Sequence, residues 1–205
     1  MPSVLSWGGI GRGDGQFLSP HSVAVDNEGN IYVVDDERGD VQKFDASGSY
    51  LLSFGGPESG LARFASAGGI AVGFDDTIWV TDRSANRIEG FSPDGVHTGE
   101  ITSEMLSEPS EITTDPSGNL YVVNQGSYRV TIFDPAGNLL ASLDGINNGG
   151  DAFDGLDGVA TDGQGNVYAT NWTSPNMQNP SEALQKFAIP GLSAAATPVA
   201  ATPVA

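Results

Sequence analysis

Residues 17–35 read FLSPHSVAVDNEGNIYVVD. This stretch contains a leading apolar residue, an alternating strand, a turn rich in Asp, Gly and Asn, and a second strand. The pattern returns three times, because the second strands begin at Ile31, Ile78, Leu120 and Val167, at intervals of 47, 42 and 47 residues. The leading apolar residues repeat the same intervals. These are Phe17, Phe64, Leu106 and Phe153.

A period of 40 to 50 residues with about four short strands is typical of a propeller blade, since a single small sheet cannot bury both of its faces. We therefore predict an all-β protein, a β-propeller of four-stranded antiparallel blades with about four blades present. The propeller spans 4–190, and its repeats lie near 17–56, 64–102, 106–144 and 153–190. The third strands, which end at Phe44, Phe91, Phe133 and Phe187, indicate an insertion of seven residues near 173–181 in the last repeat.

The two ends of the propeller are complementary. Residues 4–9 read VLSWGG and match LLSFGG at 51–56, whereas the last repeat has only three strands. We expect residues 4–9 to form a lone fourth strand that completes the last blade and removes an exposed edge. Three arrangements stay open: a closed four-bladed ring, an open arc or piece of a larger propeller, and an arc closed by a second copy. The chain is accordingly expected to be a monomer or a self-closing dimer.

The composition excludes several functions. Asp and Glu number 26 against 8 Lys and Arg, which gives a net charge of −18 and argues against nucleic acid and anionic membranes as partners. The arginines Arg38, Arg83, Arg87 and Arg129 are spread over three blades. No apolar run is long enough for a membrane-spanning helix, so no membrane insertion is expected. The absence of cysteine excludes disulfides and thiol chemistry.

The termini leave the localisation open. No signal peptide is visible after Met1, whereas residues 193–205 read SAAATPVAATPVA, which predicts a disordered tail. Ala/Thr/Pro tracts of this kind are similar to linkers of exported bacterial proteins, so an extracytoplasmic parent protein is one interpretation.

The repeat resembles a known family. Residues 17–35 look like the opening of an NHL repeat, residues 86–91 like its third strand, and residues 51–56 like its closing strand and glycine turn. The resemblance implies a β-propeller. It does not select a function, because NHL-like propellers serve as interaction scaffolds, RNA binders and sensors, and occasionally as lyases or lactonases.

One mouth of the channel is the expected ligand site, because the first strand of each propeller blade lines the channel. The equivalent positions there are His21, Gly68, Ser110 and Asp157. Residues 19–24 are similar to the zinc-binding histidine segments of peptidyl-hydroxyglycine amidating lyases, which carry one histidine on each of three blades. A single histidine cannot rebuild a three-histidine zinc site. His21 is therefore either a structural turn residue or a ligand-binding residue together with Ser110 and Asp157.

A second set of polar residues ends the second strands: Asp35, Asp82, Asn124 and Asn171. These side chains can accept amide hydrogen bonds from the following turn, which is a structural role. The alternative is a ligand site at the channel mouth that includes Asp35 and Asp82, or a carboxylate ring for Ca²⁺. His97 falls in a turn and is expected to be solvated. Turn acids are expected to cap the backbone: Asp26, Asp45, Asp94, Asp115, Asp134 and Asp162.

The sequence favours a non-enzymatic scaffold that binds a protein, peptide or glycan partner at one mouth, without cofactor or catalytic residues. Trp172, Asn176 and Met177, in the insertion of the last repeat, are the expected contact loop. The alternative function is a divalent-cation-dependent lyase or lactonase that rests on His21 and Asp157.

Overall fold

The computed structural model describes residues 5–56, 64–144, 153–162, 164–171 and 184–189. These residues form strands and turns, and none of them lies in a helix that could cross a membrane. The seventeen strands of the described residues are β1 (Gly9–Ile10), β2 (Gln16–Phe17), β3 (Pro20–Val25), β4 (Ile31–Asp35), β5 (Asp40–Phe44), β6 (Tyr50–Phe54), β7 (Ala67–Val72), β8 (Ile78–Asp82), β9 (Arg87–Phe91), β10 (His97–Thr102), β11 (Pro109–Thr114), β12 (Leu120–Asn124), β13 (Arg129–Phe133), β14 (Leu139–Leu143), β15 (Leu156–Thr161), β16 (Asn166–Asn171) and β17 (Leu184–Ala188).

The strands group into four blades in chain order. Blade 1 is the sheet β3-β4-β5-β6, blade 2 is β7-β8-β9-β10, and blade 3 is β11-β12-β13-β14. Blade 4 contains β15-β16-β17 among the described residues. All neighbouring strands within a blade are antiparallel. The predicted all-β fold with four-stranded antiparallel blades is therefore confirmed.

Aspartates close the turns between strands, as the sequence predicts. In blade 1, Asp26 Oδ1 accepts the amides of Glu28 and Asn30, and its Oδ2 accepts the Asn30 side-chain amide and the Tyr32 hydroxyl. Asp115 in blade 3 and Asp162 in blade 4 accept the same four kinds of donor. Asp45 and Asp134 accept two backbone amides each in the turns before the fourth strands.

Blade 2 departs from this turn pattern. Gly73 stands where blades 1, 3 and 4 have an aspartate, and Trp79 stands where they have a tyrosine. The turn before β10 differs too, because Ser92 Oγ accepts the amide of Val96 at 3.2 Å. The prediction that Asp94 caps this turn is therefore wrong: the capping position, two residues earlier, holds a serine.

Apolar clusters join successive blades. One cluster contains Tyr32 and Phe54 of blade 1 with Ile70 and Phe91 of blade 2. A second joins blades 2 and 3 through residues such as Trp79 and Ile112, and a third joins blades 3 and 4. Among the described residues, no core cluster joins blade 4 to blade 1.

The first strand of blade 1 has an uncovered face. Ile70 and Ile112 face the preceding blade and are 4% and 5% exposed, whereas the equivalent Val23 is 61% exposed. Val25 on the same face is 58% exposed. The described blades thus form an arc in which each blade covers the next, and blade 1 has no described blade before it.

The N-terminal segment lies against blade 1 without completing blade 4. The Trp7 ring packs on Phe44 at a centroid distance of 6.0 Å, as the equivalent Phe54 packs on Phe91 at 4.9 Å. The match between residues 4–9 and 51–56 therefore predicts the correct packing position. The predicted strand pairing is wrong, because residues 5–8 form no strand and β1 pairs in parallel with β2. Among the described residues, no strand pairing joins this segment to β17.

Candidate functional site

A β-bulge at the start of every first strand shapes the end of the channel that we call the upper mouth. In blade 1 the register shifts between Pro20 and Ser22, so that His21 is the extra residue. Equivalent shifts occur in blades 2, 3 and 4 between Ala67 and Ile70, Pro109 and Ile112, and Leu156 and Gly158. A bulge turns side chains out of the regular alternation of the strand. Each blade therefore directs one or two residues of its bulge toward the upper mouth.

Two of these residues meet across the intervening blade. His21 Nδ1 in blade 1 lies 4.0 Å from Glu111 Oε1 in blade 3, and their side chains are 40% and 35% exposed. Burial raises the pKa of the Glu111 carboxyl, the His21 side chain lowers it, and the Asp157 carboxylate of blade 4 raises it. The structure thus brings His21 of blade 1 and Glu111 of blade 3 together at the upper mouth, and the Asp157 carboxylate of blade 4 acts on the pKa of Glu111.

Two glycines of blade 2 make this approach possible. A Cβ atom on Gly69 would lie 2.7 Å from the Ser110 carbonyl oxygen and 2.9 Å from the Glu111 Cα atom. A Cβ atom on Gly68 would lie 2.7 Å from the same carbonyl oxygen. Since neither residue has a side chain, blade 2 packs its backbone directly against the blade 3 bulge. It also places no side chain between His21 and Glu111.

Ser110 supports the site from within the blade. It is 3% exposed, and its carbonyl oxygen accepts the Thr81 hydroxyl of blade 2 at 2.6 Å. The partly exposed polar residue of the blade 3 bulge is therefore Glu111, one position further along the chain. The sequence carries one signal for Glu111: a charged residue stands where the other three blades have Ser22, Gly69 and Gly158.

Asp35 and Asp82 lie inside the blades. Both are completely buried. Asp35 accepts the amides of Leu18 and Ser19 at 2.7 and 3.0 Å, and that of Arg38 at 3.0 Å. Asp82 accepts the equivalent amides of Ala65 and Ser66 at 3.0 and 3.1 Å. These aspartates fix the loop that precedes each first strand, so they position the bulge and do not line the mouth.

Asn124 and Asn171 have the same structural role in blades 3 and 4. Asn124 Oδ1 accepts the Ser107 amide at 2.9 Å, and Asn171 Oδ1 accepts the amides of Asp154 and Gly155 at 3.1 and 2.8 Å. The expected backbone capping occurs, but its main donors precede the first strand, sixteen or seventeen residues earlier in the chain.

Three arginines have polar partners. Arg38 forms a bidentate pair with Asp40, with N···O distances of 3.0 and 2.7 Å. Arg87 Nη2 lies 2.6 Å from Glu89, and Arg83 donates to Gln125 at 2.7 Å beside the upper mouth. These three arginine side chains are thus held by neighbouring polar side chains.

His97 is not a solvated turn residue, which corrects the prediction. It begins β10, packs edge-on against the Phe91 ring, and places Nε2 2.8 Å from Glu89 Oε2. Glu89 is buried and also pairs with Arg87, so this cluster is internal to blade 2. The predicted contact residues Trp172, Asn176 and Met177 lie outside the described residues.

No group of three or more His, Asp or Glu side chains in the described ranges has an arrangement that could hold a metal ion. The opposite end of the channel, which we call the lower mouth, has a shallow depression of about 290 Å³. The turns that follow the first strands of blades 1, 2 and 3 line this depression.

Hydroxyl groups fix the rim of the lower mouth. Thr114 Oγ1 of blade 3 donates to the Val72 carbonyl of blade 2 at 2.8 Å, and Thr161 Oγ1 of blade 4 donates to the Thr114 carbonyl at 3.3 Å. Both mouths are therefore built on backbone that neighbouring blades hold in place.

Comparison with known proteins agrees with this architecture. Residues 17–44 match the sequence model of the NHL repeat, and no curated protein matches the chain in sequence. Virginiamycin B lyase from Staphylococcus aureus superposes with a TM-score of 0.60 at 16% identity, over 83% of this chain and 56% of the lyase. The gluconolactonase XC5397 from Xanthomonas campestris gives 0.59 at 20% identity, over 78% of this chain and 56% of that one.

A nidogen/laminin complex gives a TM-score of 0.59 at 22% identity, over 74% of this chain and 56% of the matched chain. The chain thus spans a little over half the length of these structures, and at such identities the likeness establishes the fold alone. Residues 17–44 thus match an NHL repeat, and the chain has the fold of a β-propeller.

Proposed function

We propose that the chain is a non-enzymatic binding module that holds a protein, peptide or glycan partner at its upper mouth. The observation that supports it best is the approach of His21 in blade 1 to Glu111 in blade 3, with the Asp157 carboxylate of blade 4 acting on the pKa of Glu111. One imidazole and two carboxylates present hydrogen-bond acceptors to the N–H and O–H groups of such partners.

The surrounding framework suits binding without rearrangement. Buried Asp35 and Asp82 hold the loops before the bulges, and the two glycines of blade 2 pack against blade 3. Preorganised acceptors lose little entropy when a partner binds, so a small polar site can contribute usefully to affinity. The loop with Trp172, Asn176 and Met177 remains a predicted contact for the same partner.

A random dodecapeptide display library and a glycan array would test this proposal. Ligands selected on the wild-type chain should bind Glu111→Gln and Asp157→Asn at least about tenfold more weakly, as expected when a charged acceptor is lost. Glu104→Gln removes an exposed carboxylate in the connection between β10 and β11 and is the matched control. Failure to select any ligand, or equal binding by the upper-mouth variants, would contradict the proposal.

A divalent-cation-dependent lyase or lactonase is the second candidate function. The observation that favours it is the presence of imidazole and carboxylate ligand types in one mouth of a fold that a lyase and a gluconolactonase share. Metal analysis of the purified protein, and thermal unfolding with Ca²⁺ or Zn²⁺ added after chelation, would test it. Absence of bound metal together with an unchanged unfolding temperature would rule it out.

A further inference from the structure

We propose that the depression at the lower mouth is a second binding site, which receives an arginine side chain of a peptide or protein partner. It is independent of the proposed function, because it lies at the other end of the first strands. Those strands contain six residues, so the two mouths are about 17 Å apart.

The lining of the depression is partly apolar and includes an accessible aromatic ring. Its lining includes Val25 and Phe74, which are 58% and 73% exposed, and Pro116. Gly73 lines it where the other blades have an aspartate, so blade 2 contributes no side chain at that point. A volume of about 290 Å³ suits one side chain, since it lies at the small end of ligand pockets.

The charge of the lining selects a cation. Asp26 and Asp115 both line the depression, and each already accepts four hydrogen bonds within its own turn. Their oxygens are thus saturated as acceptors, while their negative charges are not neutralised by any of these donors. None of the lining residues is a lysine or an arginine. The negative charges of Asp26 and Asp115 therefore attract a cationic ligand by electrostatics, without a direct hydrogen bond to it.

Arginine matches both properties of the site. Its guanidinium group is permanently charged, is weakly hydrated, and stacks on aromatic faces. An arginine cation is stabilised over an exposed aromatic ring, and its aliphatic stem can cover the apolar atoms of the lining. The exposed Phe74 ring next to two fixed negative charges provides these interactions together.

An NMR titration at low ionic strength would test the site with an acetylated and amidated Gly-Arg-Leu-Arg-Gly peptide. We expect the amide signals of Asn27, Phe74 and Asp75 to shift, and binding to weaken when salt is raised to about 0.15 M. Phe74→Ala should weaken binding at least about threefold. Asn27→Lys, which adds a cation at an exposed rim position, should abolish it.

Three controls separate this site from others. The same peptide with glutamine in place of arginine should not bind, and Leu139→Ala, at an exposed apolar residue of blade 3, should change nothing. Glu111→Gln should also leave binding of the arginine peptide unchanged. A negative result for the lower-mouth site can therefore be told apart from a negative result for the proposed upper-mouth function. The proposal is overturned if the peptide does not bind, if the glutamine peptide binds equally, or if Phe74→Ala binds like the wild type.

Discussion

Asp35 shows how one side chain organises a blade. It is completely buried and accepts three backbone amides, and asparagine performs the equivalent task in blades 3 and 4. We expect Asp35→Ala to destabilise the protein by about 2 kcal/mol or more, because buried amides lose their acceptor. Asp35→Asn should cost clearly less, since one acceptor oxygen remains. Chemical denaturation measures both free energies, and equal losses would contradict this role.

At the residue scale, the sequence predicts local contacts better than distant ones. The capping bonds of Asp26 and Asp162 join residues two to six positions apart, so the turn motif is sufficient to predict them. The main amide donors to Asp35 lie sixteen and seventeen residues away, and the motif does not identify them. Glu111 was missed for a related reason, because only the packing of blade 2 against blade 3 brings it to His21.

The turn between β15 and β16 should make stability depend on pH. Hydrogen bonds from Asn166 lower the pKa of Asp162 from 3.8 to about 2. A lowered pKa in the folded state contributes stability above the unfolded value, and this contribution is lost as the pH falls from about 4 toward about 2. Asp162→Asn should therefore lower the unfolding temperature at pH 7 and reduce its decline across that interval.

Asp94→Asn is the matched control for this experiment, because Ser92 caps the turn in which Asp94 lies. We expect the control to unfold like the wild type at both pH values. If Asp162→Asn had the same unfolding temperature as the wild type at pH 7 and at pH 2, the turn would not have the assigned role.

The bulge at the start of β7 gives a second prediction at the level of the element. Gly69→Ala would place a methyl group within 3 Å of three backbone atoms of blade 3, and backbone cannot move as a side chain can. We expect a loss of about 1–3 kcal/mol in the free energy of unfolding. Gly9→Ala meets no atom within 4 Å and should change it by about 0.5 kcal/mol or less. Equal losses of unfolding free energy in Gly69→Ala and Gly9→Ala would show that the blade 2 backbone does not pack closely against the blade 3 bulge.

The bulges also mark the limit of prediction for an element. The 47, 42 and 47 intervals predict where each second strand begins, because alternation and turn residues are local signals. A bulge adds a single residue to one strand, and glycine, serine and charged residues all occupy it in this chain. The sequence therefore predicts the position of the mouth and the bulge residues His21 and Asp157, whereas in blade 3 it points to Ser110 and not to Glu111.

In the whole molecule, the first strand of blade 1 has an exposed apolar face that the equivalent strands of blades 2 and 3 bury. Val23→Ala should change the free energy of unfolding by about 0.5 kcal/mol or less, because Val23 is 61% exposed. The equivalent Ile112→Ala removes a side chain that is 5% exposed and should cost about 2–5 kcal/mol. A large loss for Val23→Ala would indicate that another blade covers this face in solution, as in a closed ring or in an arc closed by a second copy.

For the N-terminal segment, the packing of Trp7 could be predicted from the sequence, whereas its strand pairing could not. The similarity of Trp7 to Phe54 indicates its contact with Phe44, because Phe54 makes the equivalent contact with Phe91 of the next blade. Pairing with blade 4 would require ring closure, which depends on the angle between successive blades. Nothing in a single repeat encodes that angle.

If blades 1, 3 and 4 together form one site at the upper mouth, the ionisation of Glu111 in blade 3 depends on residues of blades 1 and 4. The pKa of Glu111, measured by carbon-detected NMR titration of its carboxyl group, tests this most directly. We predict a pKa above the ordinary glutamate value in the wild type, a lower one in Asp157→Asn, and a higher one in His21→Ala. An ordinary pKa that neither substitution changes would contradict the account, because the three blades would then not meet at that mouth.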